Sequence, residues 1–132
     1  MLGEAPSRSA KVLIVEDNAL NLKLLSDLLE YHGYYVVATG SGEAALRIAE
    51  EEQPDLILMD IQLPDFSGID ATRRLKANLK TQRIPIIAVT AFAMSGDRTK
   101  IMESGCDDYM AKPFNILELL ALIEKYTTAR PE

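Results

Sequence analysis

Hydrophobic positions along this chain recur with two different periods, and the periods take turns. Short β-branched runs read as strands: KVLIVE (11–16), YYVVAT (34–39), DLILMD (55–60), PIIAVT (85–90) and the weaker DYMA (108–111). Longer segments with helical spacing lie between them. In 18–32, Leu25, Leu28, Leu29 and His32 recur at i, i+3, i+4 and i+7, and Gly33 supplies a stop. In 42–53, Ala45, Ile48 and Ala49 share a face, with Ser41 as the candidate cap. Further helices fit 68–79, 93–104 (stopped by Gly105) and 115–126, the last opening with Asn115 and Glu118 in a capping-box pattern.

Five strands alternating with five helices build βαβ units around a parallel sheet. The fold class expected is therefore α/β, doubly wound, with helices on both faces. Near-continuous apolar strands are what such a sheet needs, because both of its faces are covered. Residues 11–127 read as one domain, 1–10 as a flexible N-terminal extension and 128–132 as a C-terminal tail. No repeat, linker or low-complexity run interrupts the pattern.

Composition narrows the class. The chain has 132 residues, 48% of them hydrophobic, an ordinary globular value. Its net charge of −6 argues against a nucleic-acid surface, which would carry a basic stripe. The one cysteine, Cys106, forbids an intrachain disulfide, suits a reducing compartment and reads as a small buried filler. No apolar run approaches 18 residues, and MLGEAPSRSA lacks the core of a signal peptide. The expectation is a cytoplasmic protein without a membrane partner.

Chemistry gathers at the strand ends. In open α/β sheets the ligand site lies beyond the carboxyl ends of the strands, and right-handed crossovers put all those ends on one edge. The first run ends in Glu16-Asp17, the third in Asp60, the fourth in Thr90-Ala91, and the fifth just before Lys112-Pro113. Two carboxylates about 4 Å apart repel by about 4 kcal/mol at an effective dielectric near 20. A group of three must hold a proton or bind a cation. All-oxygen ligation suits a hard divalent ion; Mg²⁺ needs only one or two carboxylates plus water and phosphate oxygens.

VLIVEDN, LILMDIQLPDFSG, VTA and KP stand in an order and spacing that resembles the receiver domain of bacterial two-component response regulators, of the CheY-like superfamily. LILMDIQLP and AVTAFAM followed by GD resemble its single-domain cell-cycle members in particular. The resemblance spans about residues 11–126 and implies the flavodoxin-like (βα)5 fold with strand order 2-1-3-4-5. It makes Asp60 the phosphoacceptor, a carboxylate nucleophile modified by a phosphohistidine. It makes Asp17 the principal Mg²⁺ ligand, with Asp60, the backbone carbonyl of Gln62, and Glu16 acting directly or through water. Lys112 becomes the ammonium that pairs with Asp60 and then with a phosphoryl oxygen, and the Lys112-Pro113 bond is expected to be cis. Thr90 would bind another phosphoryl oxygen, while small Ala91 leaves room for the group to enter. Gln62 and Phe92 flank the expected path of hydrolytic water.

Such a phosphorelay protein needs a second state. The phosphoryl group adds about −1.5 to −2 charges. Thr90 would move toward it, and Tyr109, at the position of the family's switch aromatic, would turn into the vacated space. The face made by 93–104, the fifth strand and 115–126 would then change for a partner. The partners implied are a sensor histidine kinase or histidine phosphotransfer protein upstream, and a kinase or regulator protein downstream. The chain would catalyse only its own phosphorylation and dephosphorylation.

Each residue also has a plainer role. Asp17-Asn18 can cap the first helix, Asp60 can start a turn, Thr90 suits any strand, Lys112 any surface and Tyr109 any half-buried sheet. Their coincidence on one sheet edge favours the site. His32 reads as packing or helix-dipole compensation, Met94, Met102 and Met110 as core filling, and Glu50-Glu51-Glu52 as a solvated helix end. Two other frames compete. One is a receiver module belonging to a hybrid histidine kinase or larger regulator. The other is a phosphatase or flavin-binding α/β enzyme. A dehalogenase-like phosphatase wants a second Asp where Gln62 stands, and Glu16-Asp17 would repel a flavin phosphate.

Overall fold

The computed structural model describes residues 10–63, 65–91 and 95–127. Ten elements alternate along it: β1 (Lys11–Val15), α1 (Ala19–Tyr31), β2 (Tyr35–Thr39), α2 (Gly42–Glu52), β3 (Leu56–Asp60), α3 (Gly68–Ala77), β4 (Ile86–Thr90), α4 (Ser95–Glu103), β5 (Asp108–Ala111) and α5 (Ile116–Thr127). The five strands form one parallel sheet in the order β2-β1-β3-β4-β5.

Alternation along the central strands sends side chains to opposite faces, and each face has its own core. Leu13, Val15, Ile57, Met59, Ile86 and Ala88 pack with Ala45 and Ala49 of α2, Ala71 and Leu75 of α3, and Ile101 of α4. Val12, Ile14, Leu56, Leu58 and Ile87 pack with Leu29 of α1 and with Leu119 and Ile123 of α5. Burial of such side chains stabilises by about 1.5–3 kcal/mol each. β3 and β4 are buried along their whole length, as central parallel strands require.

Local chemistry sets the helix starts. Asn18, Ser41 and Ser67 accept N–H bonds from Asn21, Ala44 and Ile69 and so cap α1, α2 and α3. Asn115 does the same for α5, accepting from Leu117 and Glu118. Gly33 and Gly105 take positive φ after α1 and α4, a region that suits glycine.

Four sequence expectations need correction or placing. His32 is exposed at the C-terminal cap of α1, with its ring 5.3 Å from that of Tyr31, so it packs into no core, and its position fits the helix-end reading alone. Met102 is 42% exposed, whereas Met110 packs against the α1–α5 side. α3 ends at Ala77 rather than 79, and Leu79 lies 80% exposed. Residues 1–9, Phe92, Met94 and 128–132 lie outside the described residues. Glu50, Glu51 and Glu52 are exposed as expected, with Glu52 paired to Lys11 at 3.0 Å.

Candidate metal and phosphoryl site

Parallel pairing delivers the strand ends to one edge. Glu16 follows β1, and its N–H donates to Thr39 of β2 at 3.0 Å. Asp60 is the last residue of β3, and Thr90 the last of β4. Lys112 follows β5, with its N–H on the Thr90 carbonyl at 2.8 Å. Asn18, not Asp17, caps α1, so the Asp17 carboxylate is not consumed by the helix start.

Glu16, Asp17 and Asp60 each offer a carboxylate oxygen within 4.8 Å of the others. Glu16 and Asp60 are buried, while Asp17 stands on the exposed side. Lys112 reaches into the group, with Nζ 3.2 Å from Glu16 Oε1 and 3.5 Å from Asp60 Oδ2. The other oxygens are also engaged: Glu16 Oε2 accepts from the Asn18 N–H at 3.1 Å, and Asp60 Oδ1 from the Gln62 N–H at 3.0 Å. Burial pushes the Asp60 carboxyl upward, and the Glu16 charge adds to this against the pull of Gln62 and Lys112. Burial also works against the Lys112 ammonium, but Asp60 and Glu16 outweigh it and its pKa is raised. Three carboxylates face one ammonium. The imbalance leaves an all-oxygen set one cation short, a fit for a hard divalent ion.

The rest of the expected set surrounds this group. Thr90 is buried, Ala91 is exposed beside it, and the Lys112-Pro113 peptide bond is cis. Tyr109 is half-buried against the α2–α3 side of the core, and the Arg98 guanidinium lies 5.2 Å over its ring. The chain after Asp60 turns back sharply: the Gly68 N–H donates to Ile61 at 2.9 Å. A Cβ on Gly68 would lie 2.2 Å from the Asp60 carbonyl oxygen, so only glycine fits. Beside the carboxylates opens a cavity of about 680 Å³, lined by Leu24, Leu25, Leu28, Phe114 and Ile116 with Lys112 at its polar end.

The family model for the response regulator receiver domain matches residues 12–124. The chain belongs to this family. As a receiver of the two-component type it has close relatives. It is 50% identical over 115 residues to the polar-differentiation response regulator DivK of Brucella ovis, covering 87% of this chain and 94% of that protein. Among solved structures it resembles the receiver domain of the sensor histidine kinase PA1611 from Pseudomonas aeruginosa, which has magnesium coordinated in its active-site cleft. That match has a TM-score of 0.86 and 39% identity, over 92% of this chain and 99% of the other. The BeF3-activated receiver domain of Klebsiella pneumoniae RstA superposes with a TM-score of 0.82 at 29% identity, over 89% of this chain and 98% of that one. The receiver is a signalling module. Among its described residues no helix is long and apolar enough to cross a membrane.

One residue of this edge escaped the sequence reading. The Asp65 carboxylate accepts from the Ser41 hydroxyl at 2.8 Å, the Gly42 N–H at 3.0 Å and the Glu43 N–H at 3.3 Å. The Gly42 N–H first, and then the Ser41 hydroxyl, hold its carboxyl below the usual aspartate range. A turn sequence such as PDFSG gives no sign that its acid reaches a helix more than twenty positions back.

Proposed function

We propose that this receiver is a phosphoacceptor of a phosphorelay, modified on Asp60. The observation that carries the reading is the buried Asp60 carboxylate, grouped with the carboxylates of Glu16 and Asp17 and within 3.5 Å of the Lys112 ammonium. An oxygen of Asp60 attacks the phosphorus of a phosphohistidine. A P–O bond forms as the P–N bond breaks, and the electron pair passes to the imidazole nitrogen, which is then protonated. The Gln62 N–H fixes one oxygen of Asp60, limiting the orientations from which attack begins. Lys112 Nζ, already facing the acceptor, takes a transferring oxygen as negative charge spreads over that group. Thr90 sits where its hydroxyl can bind another, and Ala91 leaves the entry open.

Asp17, Asp60 and the Gln62 carbonyl are the residues suited to hold Mg²⁺, with Glu16 reaching it directly or through water. When bound, the ion neutralises charge on the phosphoryl oxygens. The chain promotes only its own phosphorylation and dephosphorylation. The donor is a histidine kinase or histidine phosphotransfer protein, and the apolar cavity beside Lys112 suits the helix that carries such a histidine. Downstream, a kinase or regulator protein reads the α4–β5–α5 face, which changes as Thr90 moves toward the phosphoryl group and Tyr109 turns into the space it leaves. Half of the residues being shared with DivK over most of that protein's length favours a stand-alone regulator in the cytoplasm. The likeness to a kinase's receiver domain supports a second arrangement, as a module of a hybrid histidine kinase.

The test is phosphoryl uptake from acetyl phosphate. We expect labelling that requires Mg²⁺, is removed by chelator and is absent from Asp60→Asn. Stoichiometric labelling of Asp60→Asn would refute the assignment.

A further inference from the structure

Three loops at the carboxyl edge touch in series. Gly40, after β2, packs on the loop after β1: a Cβ there would lie 3.3 Å from the Asp17 Cα and 3.5 Å from the Glu16 carbonyl oxygen. Gly42, two residues on, meets the loop after β3, where a Cβ would come within 3.0 Å of Phe66 and 3.1 Å of Leu63. Asp65 closes the series. Its two oxygens hold the Ser41 hydroxyl and the Gly42 and Glu43 N–H groups, and Ser41 in turn caps α2 through Ala44 at 3.0 Å. The loop that carries Asp65 begins at Gln62, whose N–H orients Asp60, and is tied at its neck by Gly68 to Ile61.

We infer that Asp65 is a positioning residue for metal binding: it straps the Gln62 loop to the start of α2, and through Gly40 fixes that loop against the Asp17 loop. This rests on the reading of Asp17, Asp60 and Gln62 as the metal-holding set. Asp65 touches no ligand atom itself. Its negative charge suits the N-terminus of α2, and three donors on two oxygens restrict the loop's placement more than a single acceptor would. Without the strap, the loops that carry Gln62 and Asp17 lose this link between them. The ion then has to organise them on binding, which lowers affinity.

The experiment titrates the unphosphorylated full chain with Mg²⁺ by calorimetry and measures its melting temperature without Mg²⁺. Removal of groups that orient metal ligands commonly costs about 10–100-fold in affinity, and a strap one step further out should cost about three- to tenfold in Asp65→Ala. Asp65→Asn keeps one acceptor and should fall between Ala and the parent. Ser41→Ala, which removes one donor, should weaken Mg²⁺ in the same direction. A helix cap alone would lower the melting temperature and leave the affinity of the folded protein unchanged. Affinities within twofold of the parent in Asp65→Asn and Ser41→Ala would therefore overturn the inference, even if Asp65→Ala failed to fold. Absence of Mg²⁺ binding by the parent would overturn the metal reading itself along with it.

Discussion

Lys112 lies closer to Glu16 than to Asp60, at 3.2 against 3.5 Å. The proposed acceptor, Asp60, is thus held near a cation without being locked to it, and it remains crowded by two acids. Burial and the Glu16 charge both raise the Asp60 carboxyl, so the folded state binds its proton more tightly than the unfolded chain does. Stability therefore falls as pH rises through that range. Asp60→Asn removes the charge, and without metal it should gain about 1 kcal/mol at neutral pH by urea unfolding while losing its function. A lower midpoint would contradict the electrostatic picture. Thr72 carries a buried hydroxyl, the one such side-chain atom without a partner among the described residues. Thr72→Val should stabilise by about 1 kcal/mol in the same assay, and destabilisation would reveal a hidden partner. The Tyr126 hydroxyl donates to Asp108 Oδ2 at 3.0 Å and is pushed up to about 12, first by burial and then by that carboxylate. The folded state keeps this proton while the unfolded chain has lost it, so stability declines as pH climbs from about 10 toward 12. A tyrosinate absorbance titration should lose its latest step in Tyr126→Phe. The placement of Asp60, Asp17 and Lys112 on one edge was legible in sequence because each stands at a strand end or within two residues of it. Asp65 was not, because its partners are set by how two loops dock. His32 and Met102 followed the periodicity without being buried, since a period says which face a side chain shares and not how far the neighbouring layer reaches.

Among the elements, strands were legible because burial on both faces leaves an unbroken apolar run. Helix starts followed from Asn and Ser side chains that accept local N–H bonds. Helix ends were less so: α3 stops at Ala77, where Asn78 turns extended and its N–H closes on Leu75. In α1 the pattern of leucines found the inner stripe but not its excess. Leu20 and Leu24 remain 64% and 58% exposed, and Leu24 lines the cavity beside the site. If this cavity receives the donor's helix, Leu24→Asp should slow transfer from a phosphorylated donor protein about tenfold and leave uptake from acetyl phosphate unchanged. Equal losses with both donors would move the residue's role from docking to folding. Among the described glycines, Gly68 leaves the least room for a Cβ. Gly68→Ala forces a Cβ against the Asp60 backbone and should cost about 3 kcal/mol of stability, read as a shifted denaturant midpoint, because backbone cannot give way as a side chain can.

Across the whole molecule the two cores cover both faces of the sheet, and the charged groups gather at its carboxyl edge. A ligand that binds only the folded state stabilises it by about 2.7 kcal/mol at a hundred times its dissociation constant. Saturating Mg²⁺ should raise the melting temperature of the parent, and Asp17→Asn should lose most of that increment because it removes a carboxylate proposed to hold the ion. Switching from 1:99 to 99:1 between two conformations takes about 5.5 kcal/mol, within reach of a few charge-assisted hydrogen bonds from a phosphoryl group to Lys112 and Thr90. Fold and site edge could be read from sequence together, since a parallel sheet that places its strands also places their ends. What the three loops do to one another could not. The most direct measurement is borohydride trapping of the protein phosphorylated in Mg²⁺, followed by mass spectrometric mapping. Homoserine at position 60, and at no other acidic position, is the expected result; an unreduced Asp60 in fully labelled protein would contradict the central claim.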